Sequence, residues 1–121
     1  MLKRIIKADS MLFYDGDTLV LSMMEKETDK DVHITFEGEL RSDASHHIQD
    51  ELEAYISVGS RIILDFGAVT FVSASLLNAL LDVQQLADFF RKGSLVLRNL
   101  SDEIYQAMDK RGLTDLLMIE E

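Results

Sequence analysis

From Thr18 onward hydrophobic positions recur every second residue. Leu19, Leu21 and Met23 alternate with Thr18, Val20 and Ser22, and Val32, Ile34 and Phe36 alternate with His33, Thr35 and Glu37. That period predicts two strands with one buried face each. Glu25–Asp31 between them is wholly polar, so the pair reads as an antiparallel hairpin. The period then changes. Ala44, Ile48, Leu52, Tyr55 and Ile56 follow helical spacing, with Asp50, Glu51 and Glu53 on the wet side. Ser42 or Asp43 is the expected N-cap, and Gly59 the left-handed residue that ends the helix.

Arg61–Phe66 has a continuous apolar centre, as in a central strand covered on both faces or on one face and an end. Gly67 is expected to break it. Val69–Val72 leads into a second helix starting near Ser73 or Ser75. Its stripes Leu76/Leu80/Val83/Ala87/Phe90 and Leu77/Leu81 make an apolar face wider than one sheet contact needs. Gly93 ends this helix, Ser94–Asn99 is a strand, and Ser101 caps a third helix. Asp102 and Glu103 stand in its first turn and Lys110 and Arg111 in its last, the order the helix dipole favours. Gly112 follows it, and Leu116–Ile119 is a last short strand. Alternating strands and helices imply right-handed crossovers and parallel neighbours. The expected fold class is α/β: a single domain with a mixed four- to five-stranded sheet and helices mainly on one face. Residues 1–17 are less regular, with a turn at Asp15-Gly16-Asp17. They are expected to form an N-terminal arm or an extra strand, dispensable for the core fold, ahead of the domain at 18–121.

Length and charge narrow the function. A chain of 121 residues is one domain by size. Having no cysteine, it can form no disulfide, thiolate metal site or cysteine nucleophile, and having no proline it holds no proline-rich linker. Twenty-two acidic against twelve basic residues give a net charge of −10, which repels nucleic acid and anionic membranes. The basic start, Lys3-Arg4 and Lys7, has no long apolar stretch behind it, so neither a signal peptide nor a spanning segment is expected. The expected location is the cytoplasm.

Candidate chemistry is sparse. The three histidines are His33, His46 and His47; His46/Asp50 and His47/Glu51 are four apart on one helix, without a third ligand at metal spacing. There is no Gly-x-Ser-x-Gly elbow, Walker loop or Gly-x-Gly-x-x-Gly. Neither an enzyme, a metal nor a cofactor is expected. The informative stretch is Val69–Leu77, where a strand hands over to the start of an apolar helix. The N–H groups there are unpaired and partly positive. A serine at that place caps the helix, or accepts a phosphate that adds about two negative charges.

With these residues in view, the chain over about residues 18–119 resembles the STAS family, the domain of bacterial anti-sigma factor antagonists. Gly38-Glu39-Leu40 before the first helix is similar to the family's Gly-x-Leu turn. Ile62–Val72 is similar to its hydrophobic-Asp-hydrophobic strand and following Val-x-Phe loop, and Gly112-Leu113 fits the end of its third helix. The family's Asp-Ser-Ser/Thr-Gly loop, whose first Ser or Thr is phosphorylated by a partner kinase, is here Ser73, Ala74, Ser75 and Leu76. Ala74 replaces the phosphoacceptor, and Arg41 stands where an Asp often follows Gly-x-Leu. The resemblance implies a non-catalytic, partner-switching module in bacterial transcription regulation, binding an anti-sigma factor or serine kinase-like regulator. The expected contacts are Ser73, Ala74, Ser75, Leu76, Leu77 and Leu81, with Ser73 and Ser75 as alternative phosphoacceptors. A homodimer is the competing use of the same surface. A second reading is a lipid- or nucleotide-binding STAS module of a transport or sensing complex.

Overall fold

The computed structural model describes residues 1–120. One sheet runs through the molecule. Its strands are β1 (Lys3–Ile6), β2 (Ser10–Asp15), β3 (Thr18–Glu27), β4 (Asp31–Leu40), β5 (Arg61–Val72), β6 (Ser94–Arg98) and β7 (Met118–Glu120), in that spatial order. The first four are antiparallel neighbours; β4 to β7 are parallel. Between the parallel strands lie α1 (Ser45–Ser57), α2 (Ala74–Phe90) and α3 (Asp102–Lys110). Each crossover advances the sheet by one strand in the same direction. Right-handed crossovers then place all three helices on one face. The mixed α/β architecture is as expected, but the sheet has seven strands rather than four or five. The additional strands come from residues 3–15, where β2 pairs with β3 and β1 pairs with β2.

The core lies between the sheet and the helices. Phe13, Leu21, Phe36, Ile62, Leu64, Phe66 and Leu97 pack there with Ile48, Leu52, Leu80 and Val83. Phe36 and Phe66 meet at a ring separation of 5.5 Å. The 1–17 segment therefore supplies sheet edge and core together, because Met11 and Phe13 are both buried.

Several boundaries differ from the sequence pattern, each for a local reason. Gly67 does not end its strand. Thr35 pairs with Asp65 and Glu37 with Ala68, so β5 carries one residue more than β4 across this interval and continues through a bulge. The Asp65 carboxylate holds the bulge, accepting from Gly67 N at 2.8 Å and from Asn99 Nδ2 at 3.1 Å. Neither Ser42 nor Asp43 caps α1; a short 3₁₀ turn, Ser42–Ala44, precedes the helix, with no side-chain cap. The left-handed residue that ends α2 is Arg91, at φ 52°, rather than Gly93 two residues later.

Candidate functional site

Strands β4 and β5 end side by side, with Leu40 opposite Val72. The chain leaves both at the same end of the sheet, so α1 and α2 begin as neighbours there. Ser73 fixes the junction. Its N–H donates to the Leu40 carbonyl at 2.9 Å, and its Oγ accepts from Leu76 N at 3.1 Å. With an extended backbone at φ −76° and ψ 156°, it is the N-cap of α2 and is almost wholly buried. A serine fits because its short side chain satisfies one of the helix's orphan N–H groups.

Ser75, two residues on, is exposed. Its Oγ lies 3.2 Å from Ser73 Oγ and 3.2 Å from Ser45 Oγ. Ser45 Oγ in turn donates to the Arg41 carbonyl at 3.4 Å. Three hydroxyls thus bridge the starts of the two helices. Arg41 closes the site on its other flank, pairing with Asp15 at 3.1 Å and Glu39 at 3.5 Å. The hydrogen bond to Asp15 holds its guanidinium in the charged form even more firmly than usual. The bridging role of Ser45 has no signal in the sequence, where it reads as an ordinary first-turn residue.

The site residues expected from sequence divide by exposure. Ala74 and Ser75 reach solvent, and Leu81 is half-buried. Leu76 and Leu77, expected as contacts, are 0% and 2% exposed and pack in the core, though Leu77 still borders the groove beside Phe71. The wide apolar face of α2 is largely spent inside, on Leu76, Leu77, Ala79, Leu80, Val83 and Ala87. What the junction does expose is Thr70, Phe71, Ala74, Ser75 and Asn78, with the Phe71 side chain 49% open to water. Phe71 is not among the contacts expected from sequence, where Val69–Val72 reads only as the lead into the second helix. A shallow groove beside it runs past Leu77 to Ser101, Glu103 and Ala107 of α3.

Two histidines follow Ser45 directly in the first turn of α1. His46 and His47 stack at 3.9 Å, and His47 lies 6.1 Å from the Phe13 ring. Burial, with the nearby Arg4 and His46 charges, pushes the His47 pKa down. Among the described residues no group of three possible ligands could hold a metal. No helix of the described chain is long and apolar enough to cross a membrane.

Comparison with known proteins follows the same outline. A family model described as "Mlab, STAS domain" matches residues 23–120. No curated protein sequence matches. Among solved structures, the unphosphorylated anti-sigma factor antagonist SpoIIAA is 22% identical, at a TM-score of 0.68 over 82% of this chain and 88% of that one. An anti-sigma factor antagonist from Mycobacterium paratuberculosis is 14% identical, at a TM-score of 0.67 over 82% and 84% of the two chains. A sulfate transporter family protein from Wolinella succinogenes is 24% identical, at a TM-score of 0.50 over 65% and 67%.

Proposed function

The chain belongs to the STAS domain family, and from that premise we propose that it is a non-catalytic regulatory module whose protein partner docks on the junction of β5 and α2. The partner in this reading is an anti-sigma factor or a related serine kinase-like regulator, as for the antagonists it resembles. One observation carries it: Phe71, Ala74, Ser75 and Asn78 form an exposed rim on a helix start that the core holds rigid from beneath. A half-exposed aromatic beside small side chains lets a partner approach the backbone closely, and aromatics concentrate binding energy.

Regulation in this reading falls on Ser75. Ala74 has no hydroxyl to modify. Ser73 has one, but it is buried and engaged as the cap. Ser75 is exposed, and a phosphate on it would meet the free N–H groups of α2 while breaking the hydroxyl bridge to Ser45. The charge would then sit in the docking rim and weaken binding.

A second reading, a lipid- or nucleotide-binding module of a transport or sensing complex, draws support from the family description and the sulfate transporter neighbour. Against it, the indentation beside the junction is shallow and offers Glu103 rather than a cation to a phosphate.

The test is affinity capture from the native host with wild-type, Ala74→Asp and Ala74→Ser protein. A carboxylate forced into the interface without a partner is expected to weaken capture of a sigma-regulating protein by ten- to a hundredfold, about 1.5–3 kcal/mol, whereas Ala74→Ser leaves it near wild type. Equal capture by Ala74→Asp, with phosphate found only outside residues 73–75, would remove the junction as both contact and switch.

A further inference from the structure

At the end of the helical layer away from this junction, α2 runs out in Asp88-Phe89-Phe90-Arg91-Lys92. Phe89 is 80% exposed and Phe90 60%, with their rings edge to face at 5.2 Å. Val58, just past the end of α1, is also exposed. A cleft between the two helix ends is lined by Ile56, Ser57, Leu86, Phe90 and Lys92. No other large apolar side chain of α2 is so exposed, and packing within the chain gives no reason for a solvent-facing pair. The backbone adds a second anomaly. Arg91, the residue after the two phenylalanines, holds a left-handed conformation that glycine adopts without strain, at a cost in stability.

We propose that this corner is a self-association surface, covered by a second copy of the chain. The order of charges favours that occupant. Asp88 precedes the two rings and Arg91 follows them. About a twofold axis through the ring pair, Asp88 of each copy meets Arg91 of the other while the four rings pack together. The segment is complementary to itself. An anionic lipid surface would instead have to overcome the net charge of −10. The β1 edge is a poorer self-association site: Lys3, Arg4 and Lys7 share one sign, which opposes pairing with its own copy. The two rings expose on the order of 300 Å² of a standard interface's roughly 800 Å² per partner, so the dimer is reversible and concentration-dependent.

Sedimentation equilibrium of the full chain, from low-micromolar to near-millimolar concentration, tests this. Wild type is expected to pass from monomer to dimer. The Phe89→Ser/Phe90→Ser double variant is expected to stay monomeric while melting as wild type does, since neither ring supports the core. Asp88→Arg or Arg91→Asp alone should weaken association roughly tenfold, and the two together should restore it. Arg91→Gly should weaken association yet raise the melting temperature. A wild type that stays monomeric, a dimer that survives loss of both rings, or single swaps that do not rescue each other would each overturn the proposal. So would a monomeric protein that binds phosphatidylglycerol-containing vesicles through Phe89 and Phe90. Ala74→Asp is expected to leave the dimer unchanged, so this proposal and the junction's docking role fail separately.

Discussion

A methyl group added at Gly38 would overlap the carbonyl oxygen of Val20, on a backbone at φ 113° that L side chains rarely adopt. Gly38 stands opposite Leu21 in the β3–β4 ladder, and its own carbonyl accepts from Thr70 Oγ1 at 3.3 Å. One small residue therefore lets three strands approach just before the chain turns toward α1. Gly38→Ala combines steric overlap with left-handed strain, and a loss of about 3 kcal/mol or more is expected. Thermal unfolding would check it; a fall of less than a few degrees would show that β3 yields easily. Asp65 makes a second residue-scale case. Its carboxylate satisfies the bulge N–H of Gly67 and the Asn99 amide, which accounts physically for an Asp in an otherwise apolar strand. Asp65→Ala leaves both donors to water and is expected to cost about 1–2 kcal/mol, with no effect on partner capture beyond that of stability. These residues were legible in the sequence as a pattern but not as contacts, because a bulge is a relation between two strands.

At the scale of elements, periodicity served well wherever a strand or helix buries a single face. Strands β3 and β4 and all three helices fall close to where it placed them. It failed at β1 and β2. The four residues of β1 are exposed throughout, so its sequence carries no alternation to read, and β2 is too short to show more than two buried positions. At the candidate site a serine cap was legible, with Ser73 and Ser75 as its alternatives, because capping is local chemistry; the fold selects Ser73. The burial of Leu76 and Leu77 was not legible, because it depends on how α2 sits against the sheet. One link between elements is open to a pH test. Tyr55 of α1 donates a hydrogen bond to the Glu25 carboxylate of β3, tying the first helix to the antiparallel half of the sheet. Desolvation pushes the Glu25 pKa above its usual value, Glu51 and Glu27 add to this, and the Tyr55 bond opposes it. Desolvation and the same carboxylate push the Tyr55 phenol up as well. A folded carboxyl that binds its proton more tightly than the unfolded one contributes stability at low pH, which is lost as pH rises through its raised pKa. Glu25→Gln is therefore expected to stabilise the protein at neutral pH and to flatten its stability profile just above pH 4.5. His47 works in the opposite direction: its depressed pKa makes the protein lose stability as pH falls below 6.5. A Glu25→Gln protein less stable than wild type at pH 7 would show that the Tyr55 bond outweighs the cost of burying the charge.

At the scale of the whole molecule, the question is whether the antiparallel half of the sheet is part of the fold or an appendage to it. The helices cover one face of the parallel strands, and β4 carries the junction with the hairpin side. Strand β2 then extends the same core outward: Met11 lies opposite Met23 and Phe13 opposite Leu21, all four buried. Asp15, at the end of β2, pairs with Arg41 beside the candidate site. Strand β1 adds no buried side chain of its own; only Leu2, just before it, packs against the core from outside. The two strands should therefore separate in energy. Removing residues 1–7 is expected to cost about 1 kcal/mol, roughly what partial exposure of one leucine is worth. Removing residues 1–16 deletes Phe13 and Met11 and leaves the ten-residue β3 as an open edge. Burying a phenylalanine and a methionine is worth about 3–6 kcal/mol together, a large share of the 5–15 kcal/mol typical of a whole domain. A chain beginning at Asp17 is therefore expected to melt far below wild type and to aggregate through β3. Phe13→Ala in the full chain should reproduce much of the loss, about 3–5 kcal/mol, without exposing that edge. The measurement is a set of denaturant melts on the two truncations and the point variant. If the chain from Asp17 unfolds cooperatively near the wild-type midpoint, β2 is a dispensable arm, and the fold ends at β3 whatever Phe13 buries.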